Sequence, residues 1–144
     1  MARGAPDTSN LGFLLAKASQ RWNERLAEGF AAMGYREVRP SYGSVLLPLW
    51  ERDGLRMGQL AERARLSKQT MTTLVRLCER DGLVSRAPDP EDGRATLVSL
   101  TERAIGFRAV AGQVIAELER DIGRRLSAAR KRALEEALRE VMEL

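Results

Sequence analysis

The chain of 144 residues has no histidine and a single cysteine, Cys78. Without histidine there is no Ser-His-Asp triad, no Cys-His pair and no imidazole zinc site. One cysteine excludes an intramolecular disulfide and any cysteine-rich metal cluster, so nothing calls for an oxidising compartment. Long apolar runs are also missing. The longest, Val45-Leu46-Leu47-Pro48-Leu49-Trp50, falls far short of the roughly 20 residues that span a bilayer. The stretch Met1-Ala2-Arg3-Gly4-Ala5-Pro6-Asp7 lacks the apolar segment of a signal peptide. The expectation is a cytoplasmic chain with no membrane partner. No nucleophile–base pair or glycine-rich phosphate loop stands out, so no catalytic residue, metal ligand or resident cofactor is expected.

Charge of one sign is scarce too. The 24 basic and 20 acidic residues leave a formal net charge of only +4. With no histidine and one cysteine, little titrates near neutrality, and this small excess is enough to lift the pI to about 9.8. Residues 1–54 carry 7 basic and 6 acidic side chains, 55–96 carry 8 and 6, and 97–144 carry 9 and 8. No segment is a basic tail. A basic balance permits an acidic partner such as DNA, and the decision rests on where particular arginines sit.

Hydrophobic periodicity predicts a mainly α chain. Leu11, Leu14, Leu15, Ala18, Trp22, Leu26 and Phe30 recur at helical spacing over 10–33, and Gly34 supplies the stop. A second helix over about 42–52 has Ser41 as its expected N-cap and Pro48 in its interior, where a kink is expected. Asp53-Gly54 marks a turn. A short helix over Met57–Ala64 turns Leu60, Ala61 and Ala64 inward. Ser67 caps the next, to about Asp81, whose Met71, Leu74, Val75 and Cys78 form one apolar stripe. The run Ala95–Leu100 and the residues around Val84 have strand character. With Pro88-Asp89-Pro90-Glu91-Asp92-Gly93 as the loop between them, 83–100 reads as a two-stranded ribbon. Thr101 caps a helix over about 102–123 with Ala104, Ile105, Val114, Ile115, Leu118 and Ile122 apolar, and Ser127 caps the last, 128–143.

Two short helices joined by a tight turn, the second polar outside and capped at its start, describe a helix-turn-helix. Ala61 is the small contact residue, faced by Met71 and Leu74. Gln69, Thr72 and Thr73 are then free to read base edges, and Arg76 to reach a guanine or phosphate. Ser67, Lys68 and Thr70 at the helix start and Arg86 on the ribbon complete the candidate surface. Arg65 stands where such turns favour glycine, so either the turn differs or Arg65 is strained. The ribbon downstream reads as a wing. Its tip Asp92-Gly93-Arg94 presents Arg94 to a minor groove, with Asp92 orienting the guanidinium and bracing the loop.

In this order of elements the chain resembles the multiple antibiotic resistance regulator (MarR) family. The resemblance is carried by Gln59-Leu60-Ala61, by Leu66-Ser67-Lys68-Gln69-Thr70-Met71-Thr72-Thr73-Leu74-Val75, and by Glu79-Arg80-Asp81-Gly82-Leu83-Val84-Ser85-Arg86. It continues through Asp89-Pro90-Glu91-Asp92-Gly93-Arg94 and Leu100-Thr101. It implies one domain over 1–144, with a winged helix-turn-helix lobe at 41–100, its recognition helix at about 67–81 and its wing at about 83–100. The helices at 10–33 and 102–143 would form a dimerisation region. The implied function is a sequence-specific regulator of transcription, a ligand-responsive repressor that binds a pseudo-palindromic double-stranded DNA operator as a homodimer. The apolar stripes of the outer helices support dimerisation independently, since unburied they would form an exposed patch.

The resemblance further implies a small phenolic or other aromatic anion as effector. Arg21, Trp22, Arg25, Tyr42 and Trp50 are the candidates for holding it. Oxidant sensing in the family uses a cysteine near the start of the first helix, which this chain lacks. Cys78 instead lies on an inward stripe as a structural thiol. The alternative reading is a winged-helix module that binds protein rather than DNA. The polar face of Gln69, Thr72, Thr73 and Arg76 argues against it, because such surfaces gain apolar anchors.

Overall fold

The computed structural model describes residues 4–144, so Met1–Arg3 of the stretch examined for a signal peptide lie outside it. Six helices and a three-stranded antiparallel sheet follow in the order α1 (Leu11–Ala32), α2 (Gly43–Glu51), β1 (Leu55–Arg56), α3 (Met57–Ala64), α4 (Lys68–Arg80), β2 (Val84–Pro88), β3 (Thr96–Leu100), α5 (Glu102–Leu126) and α6 (Ala128–Met142). Caps explain most of the helix starts. The Asn10, Ser67, Thr101 and Ser127 side chains accept hydrogen bonds from the backbone N–H of Phe13, Thr70, Ala104 and Arg130, each satisfying one of the donors a helix start leaves unpaired. Gly34 follows α1 at φ +90, a left-handed position that glycine takes without penalty.

Several expectations need correction. Ser41 is not an N-cap, because a single 3-10 turn, Pro40–Tyr42, precedes α2 and takes it in. The ribbon has a third strand: β3 sits between β2 and β1, with Leu55 opposite Val98 and Val84 opposite Leu100. Asp53 helps hold that added edge, its carboxylate accepting from both the Gly54 and Leu100 N–H groups at 2.9 and 2.8 Å. Pro88 closes β2 instead of opening the loop, and α5 runs on to Leu126 with Gly123 inside it. Within α5, Ile105 faces solvent and the inward positions include Phe107 and Ala111. Helix α2 continues through Pro48.

The core joins the two halves of the fold. Tyr42, Val45, Leu46 and Leu49 from the second helical segment meet Leu60, Met71, Val75, Cys78, Leu83 and Val98, all at most 1% exposed. Phe107 of α5 extends this core toward α1, its ring edge-on to Phe30 at 4.9 Å. Helices α1 and α5 run antiparallel, in a register set by Phe30 on Phe107, Gly29 on Val114 and an Arg25–Asp121 ion pair at 2.7 Å. No helix among the described residues is long and apolar enough to cross a membrane.

Candidate nucleic-acid interface

Helix α4 buries Met71, Val75 and Cys78, half-buries Thr72, Leu74, Leu77 and Glu79, and exposes its other residues. At 100° per residue, Gln69, Thr73 and Arg76 cluster opposite the buried stripe, with Lys68 and Thr72 on its flank. Gln69, Thr73, Arg76 and Lys68 are exposed, and Thr72 is half-buried. The two threonines are less free than their positions imply. The Thr72 hydroxyl donates to the Lys68 carbonyl at 2.8 Å and the Thr73 hydroxyl to the Gln69 carbonyl at 3.1 Å. With those protons committed, both present lone pairs and a methyl group. That suits the amino group of cytosine or adenine and the thymine methyl. Ser67 and Thr70 are engaged in the cap: the Thr70 N–H donates to Ser67 Oγ at 3.1 Å, and the Ser67 hydroxyl donates to Thr70 Oγ1 at 2.9 Å.

The turn before α4 is the helix-turn-helix kind. Arg65 adopts φ 55, ψ 42, the left-handed conformation, and the Leu66 N–H donates back to the Ala61 carbonyl at 3.0 Å. Of the two alternatives posed by the missing glycine, strain at Arg65 is the one realised. Its guanidinium meets the Met142 carbonyl at the end of α6 at 3.2 Å.

Arg94 is exposed at the wing tip and makes no ion pair among the described residues. Asp92 braces the loop as expected, but through the backbone: its carboxylate accepts the Arg94 N–H at 3.1 Å and does not hold the guanidinium. The residue that organises the wing is Asp89, the one buried charged side chain among those described, at 7% exposure. One oxygen accepts the Glu91 N–H at 2.9 Å and the other accepts Arg56 Nε at 2.7 Å. The Glu91 N–H, and after it the Arg56 guanidinium, hold its carboxyl below the usual range. Sequence reasoning placed Asp89 only in a loop, since its partner Arg56 lies on another strand. Arg86 grips Glu79 of α4 by Nε at 3.2 Å and Nη2 at 3.0 Å, so it also joins the sheet to α4. An open groove between α3, α4 and the wing brings Gly58 and Gln59 together with Lys68 and Arg94.

A model of the MarR family matches residues 40–95, the segment from the turn before α2 to the wing tip. Over this segment the chain is similar to the MarR family. Over 63 residues it is 38% identical to the organic hydroperoxide resistance transcriptional regulator of Bacillus subtilis, a match spanning 44% of this chain and 42% of that regulator's length. The solved structure of the PcaV transcriptional regulator of Streptomyces coelicolor, in complex with its natural ligand, is 25% identical and superimposes with a TM-score of 0.81, covering 98% of both chains. The repressor CouR, bound to a 23-mer DNA duplex, shares the fold at TM-score 0.80 and 22% identity over 96% of this chain and 99% of that one.

The five residues expected to hold an effector are each engaged within the chain. Arg21 is exposed and engages Glu24 at 3.1 Å, and Arg25 is paired with Asp121. Trp22 packs half-buried against the core. Trp50 donates its indole N–H to the Ala104 carbonyl at 3.1 Å and leans on Phe107. Tyr42 is fully enclosed, its hydroxyl donating to Asp81 at 2.5 Å. Burial and that bond push its pKa up to about 12. Periodicity marks these side chains as inward or cationic but carries no information on the partners that occupy them.

Proposed function

We propose that this chain is a sequence-specific double-stranded DNA-binding regulator of transcription, a ligand-responsive repressor that acts as a homodimer on a pseudo-palindromic operator. The observation that carries the reading is the shared groove: Lys68 at the start of α4 and Arg94 on the wing, two cations from separate elements, both line it, and Gln69, Thr73 and Arg76 are exposed along the same helix. That arrangement suits a helix in the major groove with the wing reaching the adjacent minor groove. The exposed large apolar side chains lie off α4 and off the wing, which favours nucleic acid over a protein partner on this face.

Dimerisation finds support in the outer helices. Arg25 sits against Asp121, only five residues before the end of α5. The first ten residues of α1 therefore overhang α5 by about 15 Å. That overhang exposes Leu11 at 58% and Leu14 at 52%, and α6 exposes Leu134 at 46% and Met142 at 63% while burying none of its residues. A second copy covering these stripes would remove them from water. Ligand response follows the likeness to the ligand-bound PcaV regulator, with a small aromatic or phenolic anion as the effector class.

Binding to duplexes of varied sequence tests the reading. Arg94→Ala is expected to weaken operator and random duplex alike and to lower the salt slope, whereas Thr73→Ala or Arg76→Ala relaxes sequence preference by about 1–3 kcal/mol at one position per half-site. Equal, salt-insensitive binding by wild type and Arg94→Ala would overturn it.

A further inference from the structure

We propose that Arg80 is an additional DNA contact, reaching a backbone phosphate at the margin of the groove, and that Tyr42 and Asp81 are positioning residues that aim it. The inference rests on α4 being the recognition helix. Along α4, Arg80 follows Gln69, Thr73 and Arg76 at helical spacing and falls within about 60° of them on the outward face. It lies 11 residues beyond Gln69, about 16 Å along the axis. A recognition helix offers its N-terminal residues to base edges in a groove about 12 Å wide. Arg80 is therefore carried out to the level of the phosphates.

The side chain is held ready for that contact. Asp81 takes Arg80 Nε at 3.1 Å and Nη2 at 3.3 Å, which leaves Nη1 free to donate to a phosphate oxygen. Despite this pairing the Arg80 side chain remains 56% exposed, while that of Asp81 is 12% exposed. Asp81 is fixed in turn by the Tyr42 hydroxyl at 2.5 Å, and Tyr42 has no exposed surface. Arg39, at the head of the same 3-10 turn, adds its charge beside Asp81. Three side chains thus run unbroken from the turn after α1 to the outward face of α4. A displacement of that turn would move the Arg80 guanidinium.

The test is a double-mutant cycle on DNA binding across a salt series, using wild type, Arg80→Ala, Tyr42→Phe and the double variant. Arg80→Ala is expected to lower affinity for operator and random duplex alike by ~5-fold and to reduce the salt slope by about one per protomer. Tyr42→Phe is expected to give a ~2-fold loss in the same direction. The double variant should bind no more weakly than Arg80→Ala alone, because Tyr42 acts through Arg80. Asp81→Asn replaces Tyr42→Phe if thermal melting shows the latter unfolded. Losses that multiply in the double variant, or an Arg80→Ala variant that binds as wild type does, overturn the inference while leaving the recognition helix in place. A wild type that binds no duplex overturns both.

Discussion

Replacing Gly29 by alanine probes the joint between the outer helices α1 and α5. A Cβ built at Gly29 would lie 2.5 Å from Val114 Cγ1 and 3.2 Å from Cγ2, inside the distance that carbon atoms tolerate. Val114 is 8% exposed and, being β-branched on a helix, is restricted to essentially one χ1 rotamer, so it cannot swing aside. The helices must therefore separate. Overpacking of this kind costs about 1–3 kcal/mol, offset by up to about 1 kcal/mol from alanine's better helix propensity. A net loss of about 1–2 kcal/mol is expected, a fall of about 3–8 °C in Tm for a chain of this size. Protein concentration must be held constant, since an oligomer's melting point depends on it. Thermal denaturation of Gly29→Ala, Val114→Ala and the double variant completes the test. Val114→Ala removes both clashing methyls, so the double variant should be at least about 1 kcal/mol more stable than additivity gives. A Gly29→Ala variant as stable as wild type, or strict additivity, would refute the close-packing argument.

Arg65→Gly relieves the left-handed strain at φ 55 and should raise stability by about 0.5–1 kcal/mol in urea titration, after allowance for glycine's greater unfolded-state freedom. A loss of stability would show that the Arg65–Met142 contact outweighs the strain. Burial pushes the Cys78 thiol pKa up to about 12, so a disulfide reagent at pH 8 should label it only in denaturant; rapid labelling of the native protein contradicts the buried placement. The Asp89 carboxyl, held low by the Glu91 N–H and Arg56, should titrate with a midpoint below 3.8 by NMR. Because the folded value is depressed, its contribution to wing stability is complete above about pH 4 and fades as pH falls through the folded value. Asp89→Asn should accordingly speed hydrogen exchange at the Glu91 amide, and an unchanged rate would remove Asp89 from its organising role.

Much of this architecture is local and therefore legible in the residues themselves. Ser67, Thr101 and Ser127 act as caps where expected, because capping involves a side chain and an N–H three residues on. The inward stripe of Met71, Val75 and Cys78 follows from helical spacing alone. What escaped depends on pairs distant in sequence. Strand β1 is two residues long, too short for any alternation, and is defined by Val98, 43 positions after Leu55. Arg86 reads as a free cation until Glu79 is seen on the neighbouring helix. Asp92 and Asp89 look alike in a loop; burial against Arg56 separates them. The surroundings of the effector candidates are hidden for the same reason, since aromatic and cationic identity does not reveal that Arg25 is matched by Asp121 across two helices.

The central claim is that two copies of this chain read a symmetric DNA site. Selection of a randomised duplex pool by the purified protein, with the stoichiometry of the selected complex measured by sedimentation, addresses it most directly. The account predicts a two-fold-symmetric site with half-site centres about one helical turn apart, bound by two copies of the chain. Enrichment of an asymmetric sequence bound by a single copy, or no enrichment at all, would contradict it.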